Sequence, residues 1–289
     1  MFNAIVFKEP QTNWHMLSGK LAFRVNNDYL FRALLQFDNM VLKELIASLL
    51  RWNVKDITSA EIQNPIVLGE SMADKYYVLD VKVMLNNSII LNLEMQILDE
   101  NNWPERSLCY LCRIFDQLNR GGNYINIKPT YQIGFTDFAP VSGKGEFYAI
   151  YRMQNVKNHE EYTDKFTLSV VDLSYIELAT EEDKASKLDQ WAKMFKAQTW
   201  EELRMLAEAN PAIDQAVTKI HFLTEEDRIR EQMEAREEYY KIERTQKELM
   251  RREKEKNSRL EKELADQKKE NADQKKRIAE LEALLEAKS

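Results

Sequence analysis

At 289 residues, 44% of them hydrophobic and 31% charged, the chain has room for one domain with an ample core plus an appendage. It contains no run of eighteen apolar residues, and the N-terminal MFNAIVFKEPQTNW lacks the long apolar centre of a secretion signal. A membrane span is thereby excluded and a soluble, cytoplasmic protein expected. The net charge of −7 leaves none of the stretches 1–180, 181–222 and 223–289 basic, which counts against broad nucleic-acid binding while leaving room for a local basic groove.

Residues 1–20 read as an irregular lead-in closed by Ser18-Gly19-Lys20. From Asn27 to Leu50 apolar residues recur at helical spacing, and Asp38-Asn39 breaks the run into two helices. Residues 52–69 form a short strand or linker punctuated by Pro65 and Gly69.

Next comes YYVLDVKVMLNNSIILNLEMQ, from Tyr76 to Gln96. Two arms rich in Val, Ile, Leu and Tyr flank an Asn86-Asn87 reversal, which is the signal of a β-hairpin. Register decides what its acids can do. A two-residue loop sets Asp80 opposite Leu93 and sends Asp80 and Glu94 to different faces. A three-residue loop, Asn86 to Ser88, pairs Leu85 with Ile89, Lys82 with Asn92, Asp80 with Glu94 and Val78 with Gln96. The second register is adopted. It gathers Asp80, Lys82, Asn92, Glu94 and Gln96 on one face and leaves Leu79, Val81, Val83, Leu91, Leu93 and Met95 for the core. Adjacent carboxylates repel unless a cation or proton lies between them. Mg²⁺ suits such a pair, because it takes carboxylate oxygens and keeps water and phosphate in its other positions. On the hairpin pattern alone, a surface acid beside a paired one is the other reading.

After a polar break from Leu98 to Asn102, Pro104 opens a helix that runs to about Leu118 and stops at Gly121-Gly122. Arg106, Tyr110 and Arg113 share one of its faces, while Leu108, Leu111, Cys112, Phe115 and Leu118 supply the other. Cys109 and Cys112 form a lone C-x-x-C with no second pair for a zinc cage, and they read as reduced core thiols. Strands are expected at 130–137, 147–153 and 166–178, with a turn at 140–145. The elements add up to an α/β mixed sheet flanked by helices, with the hairpin central. His15, His159 and His221 follow no ligand spacing.

Residues 181–222 read as two helices divided at Asn210-Pro211, a helical subdomain. Residues 223–289 contain no Gly or Pro and read as one long charged helix. Within it Met250, Asn257, Leu264, Asn271, Ile278 and Leu285 take the a positions of a heptad, and Leu260, Gln267, Gln274 and Leu281 the d positions. Asn at a favours parallel two-stranded pairing in register, so residues 250–289 are expected to join two copies as a homodimeric coiled coil. A single charged helix in solvent is the other reading.

Several of these features together resemble a known family. They are Leu79-Asp80-Val81-Lys82, the thirteen residues between Asp80 and Glu94, Glu94-Met95-Gln96, and a following helix with Arg106 and Tyr110. Asn27-Asp28-Tyr29-Leu30-Phe31-Arg32, Gly122-Asn123-Tyr124 and Lys128-Pro129 add to the pattern. The combination is similar to the PD-(D/E)XK nuclease family transposases, or recombination-promoting nucleases. The resemblance implies a restriction-endonuclease-like domain over 1–180, followed by the helical subdomain and the coiled-coil helix. It implies a metal-dependent DNA endonuclease that assists recombination or transposition. Asp80 and Glu94 would hold Mg²⁺ or Mn²⁺ and Gln96 would orient or polarise the water or phosphate. Arg106, Tyr110 and Arg113 would hold phosphate, and Glu44, on the second of the early helices, would add an acid. The superfamily usually carries Lys two residues after the Glu. Gln96 cannot carry that charge, and Lys82 on the same face is placed to replace it in part. Two other readings stand beside this one: a nuclease-derived interaction protein without catalysis, joined through the tail, and a non-nuclease α/β protein with a coiled-coil appendage.

Overall fold

The computed structural model describes residues 12–64, 66, 80–118, 122–140 and 145–286, apart from the side chains at 279 and 282–286. Residues Met1–Glu237 form one compact unit and Glu238–Ser289 a second. In the first unit, strands β1 (Ala60–Ile62), β2 (Val81–Leu85), β3 (Ile89–Gln96), β4 (Thr130–Thr136), β5 (Tyr148–Arg152) and β6 (Phe166–Asp172) make a single mixed sheet. Their order is β1-β2-β3-β4-β6-β5. Strand β2 runs antiparallel to its neighbours β1 and β3, the strands β3, β4 and β6 are parallel, and β5 is antiparallel at the far edge.

The hairpin takes the three-residue register. Leu85 pairs with Ile89, Lys82 with Asn92 and Val81 with Leu93. Asn86 and Asn87 adopt φ of 48° and 55°, a left-handed conformation that Asn tolerates better than other side chains. The Asn86 carboxamide also accepts from the Thr58 and Ser59 amides at 2.8 and 3.1 Å, which ties the turn to the chain entering β1. The expected rung between Val78 and Gln96, and the inward place of Leu79, lie outside the described residues.

Because β3 is central, both of its faces are covered, and its pattern is a nearly continuous buried run. One face carries Leu91, Leu93, Ile133 and Phe135. Helices α1 (Asp28–Phe37) and α2 (Asn39–Leu50) pack on this side of the sheet, α5 (Leu188–Lys196) reaches it through Phe195, and α7 (Pro211–Thr224) packs on α1 and α2. The rings of Phe31, Phe135 and Phe195 meet at centroid separations of 5.4 to 5.6 Å, and Trp191 donates to Ser48 at 3.1 Å. Asp38 ends α1 and caps α2 through the Met40 and Val41 amides, as the sequence break implies.

The opposite face carries Asn92, Glu94, Gln132 and Gly134 and is covered by helix α3 (Trp103–Phe115). Trp103 sets the Cζ2–Cη2 edge of its indole against Gly134. A Cβ built there would come within 2.1 Å of the indole, so only glycine lets the ring sit on the strand. This contact seats the first turn of α3 beside the Glu94–Gly134 rung.

Several boundaries differ from the pattern reading. Helix α3 ends at Phe115 and buries Trp103, Ser107, Leu111 and Ile114. Leu108, Cys109 and Cys112 therefore face outward, and the cysteines are exposed free thiols rather than core ones. Of the expected apolar stripe Leu111 is buried as helical spacing implies, while Leu108 and Cys112 are not, because the bulky Trp103 rather than Leu108 anchors the helix. Strand β6 stops at Asp172 instead of reaching Leu178. There the carboxylate accepts from the Ser174 amide and hydroxyl at 2.8 and 2.5 Å and turns the chain. The stretch before Asn210 holds three helices: α4 (Glu181–Ala185), α5 and α6 (Trp200–Ala209). Lys187, at φ 61°, and the Thr199–Glu202 capping box supply the breaks. The last helix, α8, spans Asp227–Glu286.

Gly134→Ala is expected to destabilise the protein by about 1–3 kcal/mol through overpacking against Trp103. Urea unfolding followed by tryptophan fluorescence measures it, and an unchanged midpoint would show that the indole does not depend on the missing side chain.

Candidate functional site

Continuing the β2–β3 ladder one residue beyond Val81–Leu93 brings Asp80 alongside Glu94. Both acids are buried, at 9% and 5% exposure. Burial pushes each carboxyl above its ordinary value. For Glu94 the charge of Asp80 adds to the shift and Arg106 opposes it. For Asp80 the guanidinium of Arg32, then the nearby Asn92 amide and Arg106, oppose burial without cancelling it. The site therefore resists holding two negative charges with only the protein's own cations present.

Each oxygen of Glu94 has a donor. Arg106 reaches Oε1 through Nε at 2.9 Å and Nη2 at 2.8 Å, and Gln132 Nε2 reaches Oε2 at 3.2 Å. Gln132 in turn accepts from Asn92 Nδ2 at 2.8 Å, in line with the direct Asn92–Gln132 pairing of β3 and β4. Two acceptor oxygens in this group, Asp80 Oδ1 and Asn92 Oδ1, are buried with no hydrogen-bond partner among the described residues. Asp80 is held from the other layer. The fully buried Arg32 of α1 donates to the Asp80 and Asn64 carbonyls, and Asn64 Nδ2 donates to the Asp80 carbonyl at 3.1 Å. Burial lowers the pKa of Arg32, opposed by the Asp80 carboxylate.

On α3, Arg106 and Arg113 both lie over the Tyr110 ring, 5.2 and 5.7 Å from its centroid, so the stripe read from their spacing is a single contact group. Burial works against the charge of Arg106, but Glu94 and Tyr110 outweigh it and raise its pKa. The Tyr110 hydroxyl is raised as well, mainly by burial.

The structure thus brings together Asp80, Glu94, Arg106 and Tyr110. Lys82, half-buried on the same face across from Asn92, makes no ion pair among the described residues. Gln96 is on that face too, and its Nε2 donates to the Leu98 carbonyl at 3.0 Å. Glu44 is not brought to the group. It stands on α2, in the layer over the other face, and is not among the principal charges acting on either acid. Arg32 and Gln132 are the contributors that pattern reading leaves without a role. Gln132 pairs with Asn92 across the parallel β3–β4 ladder, and a polar residue on that strand face, two positions before the partner of Glu94, is the signal that marks it.

The donor set fits a hard divalent cation. It consists of carboxylate and amide oxygens, two of them buried and unpaired, without thiolate or imidazole. No group of three His, Cys, Asp or Glu side chains able to hold an ion occurs among the described residues.

The sequence profile of the PD-(D/E)XK nuclease family transposases matches residues 25–248 of the 289, and the chain belongs to that family. The mixed sheet with flanking helices agrees with its α/β fold. No curated protein and no solved structure matches the chain.

The raised acids set a pH dependence. Each has a folded pKa above its unfolded value, so the folded state keeps its proton longer and loses stability as pH rises from about 4 toward neutrality. Asp80→Asn removes one of these groups. In chelator-treated buffer its unfolding midpoint should exceed that of the wild type by a margin that widens with pH over this range. A flat or shrinking margin would mean that Asp80 ionises in the fold without penalty.

Proposed function

We propose that this PD-(D/E)XK nuclease family transposase is a metal-dependent DNA endonuclease that hydrolyses phosphodiesters and assists recombination or transposition. The carrying observation is the convergence of two buried carboxylates, Asp80 and Glu94, whose pKa values are both raised and which lie beside unpaired buried oxygens. Asp80 and Glu94 would hold Mg²⁺ or Mn²⁺. When bound, such an ion neutralises charge on a phosphoryl group and lowers the pKa of a water. The chain's own residues supply the rest. Arg106, with Tyr110 and Arg113 behind it, presents positive charge and donors for phosphate oxygens. Lys82 adds a cation on the same face. Gln96 orients the water or a phosphate oxygen without adding charge.

Incubation with supercoiled plasmid and Mg²⁺ tests this. The wild type should nick, chelator should stop it, and Asp80→Ala should slow it by at least about 100-fold, equivalent to roughly 2.7 kcal/mol. Equal nicking by both proteins would assign the activity to a contaminant.

One observation favours a second reading, a nuclease-derived interaction protein that no longer cleaves. Arg106 and Gln132 already satisfy both oxygens of Glu94, and no Lys stands at position 96. On either reading, the second unit is proposed to pair two copies. From residue 250 onward its helix leaves Met250, Leu260, Leu264, Ile278 and Leu281 exposed at 47 to 67% among the described residues, and these fall on the a and d positions of one heptad, whereas the exposed Ile242 and Leu249 before them do not. Sedimentation of the full chain should give a dimer, and Leu264→Lys combined with Ile278→Lys should return it to a monomer. A wild-type monomer at micromolar concentration would remove the pairing.

A further inference from the structure

Asn92 is an unusual residue for its place. It lies between Leu91 and Leu93 on the central strand β3, with 0% exposure. A carboxamide there must satisfy two donors and an acceptor or lose the free energy of its hydration. Its nitrogen is used, donating to Gln132 Oε1 at 2.8 Å, but its oxygen has no partner among the described residues. Asp80 Oδ1, which belongs to the same polar group, also has no hydrogen-bond partner among the described residues, although the Asn92 amide helps to offset the burial of the Asp80 carboxylate. Gln132 is also fully buried. Its own amide is fixed at both ends, giving a hydrogen bond to Glu94 and taking one from Asn92. This fixes which end of the Asn92 amide is the nitrogen and keeps its oxygen as the free one.

Two unpaired oxygens in one buried group demand either a donor or a cation. Of the nearby cations, Arg106 binds Glu94 and Arg32 binds the backbone carbonyls of Asp80 and Asn64, while Lys82, across the ladder from Asn92, hydrogen-bonds neither of the two oxygens. We propose that the Asn92 side-chain oxygen is a third protein ligand of the divalent cation, beside Asp80 and Glu94, with Gln132 as the residue that holds Asn92 in the ligating orientation. This rests on the reading that Asp80 and Glu94 bind such an ion. A neutral third oxygen fits the charge arithmetic. Two carboxylates already match a divalent ion, so an amide adds coordination without leaving excess negative charge in a buried place. The same reasoning explains why the ion's place holds no third acid among the described residues.

The test is Mn²⁺ binding to the full-length protein, read from the free-ion electron paramagnetic resonance signal and from the shift in unfolding temperature, without any DNA. Asn92→Leu is expected to weaken Mn²⁺ binding by roughly 10- to 100-fold, and the ion it still binds should carry one more water by proton relaxation. Asn92→Asp keeps an oxygen and adds charge. It should be less stable than the wild type without metal and gain more in unfolding temperature when Mn²⁺ is added. Wild-type affinity in Asn92→Leu would overturn the proposal and leave a buried water as the partner of these oxygens. If Asn92→Leu does not fold, Asn92→Asp decides, since a metal-induced gain no larger than that of the wild type overturns it equally. Absence of Mn²⁺ binding by the wild type overturns the two-carboxylate reading itself, and Asn92's role with it. Binding lost in Asp80→Asn but untouched in Asn92→Leu leaves that reading standing and removes Asn92 alone.

Discussion

A carboxylate in the middle of a sheet covered on both faces has to be met by positive charge or by a proton, and Glu94 is such a carboxylate. Its partner, Arg106, does not come from the sheet. It is carried by α3, and α3 is held against the strands by Trp103 packed on Gly134, the residue that pairs with Glu94 across the parallel ladder. A missing side chain on β4 thus sets the height at which an arginine one turn into α3 meets an acid on β3. Pairs of this kind rarely add net stability, because removing both charges from water offsets most of their attraction. Their retention in a fold that could use apolar residues there points to what the charges do.

The second acid is governed from the other side. Arg32 belongs to the helical layer that covers the apolar face, yet its guanidinium reaches the Asp80 main chain at the sheet's margin. The chain entering β2 is therefore fixed by a group that hydrogen-bonds the main chain while its charge acts on the Asp80 carboxylate. Asp80 is held in position while one of its oxygens has no hydrogen-bond partner among the described residues. Position without satisfaction is what a ligand site needs. A fully satisfied acid would have to break a hydrogen bond before binding anything. The cost appears in the raised pKa values of Asp80 and Glu94, which make this part of the structure a load on stability carried by the aromatic core around Phe31, Phe135 and Phe195.

Much of this was legible before the fold was known, and the reasons are local. Alternation within the two arms and the Asn86-Asn87 reversal fix the hairpin register, because a one-residue slip would put Lys82 and Glu94 on opposite faces, and likewise Val81 and Leu93. Capping chemistry at Asp38 and the Asn210-Pro211 boundary is equally short-range. What alternation cannot reveal is which element covers a face. Cys109 and Cys112 looked like core thiols because the stripe that α3 buries is chosen by Trp103 and by the surface beneath it, not by the helix's own hydrophobicity. Gln132 and Arg32 were opaque for the same reason. Each works across a long sequence separation, and a polar residue on a strand or helix looks alike whether it meets solvent or a buried acid. Glu44 shows the converse error: order along the chain suggested it, while the layer its helix joins sets it apart from the acids.

The glutamine at position 96 can be weighed in the same terms. On the face that carries Asp80 and Glu94, Arg106 and Lys82 already contribute two positive charges, and Arg32 adds a third at the margin. A lysine two residues beyond Glu94 would add a fourth cation, buried on the same strand, against two carboxylates. Desolvation would then have to be offset by partners the sheet does not offer. A glutamine avoids that burden, and its amide closes the end of β3 by donating to the Leu98 carbonyl. Positive charge near the acids is therefore supplied from the neighbouring strand and from α3, which leaves position 96 free to be neutral.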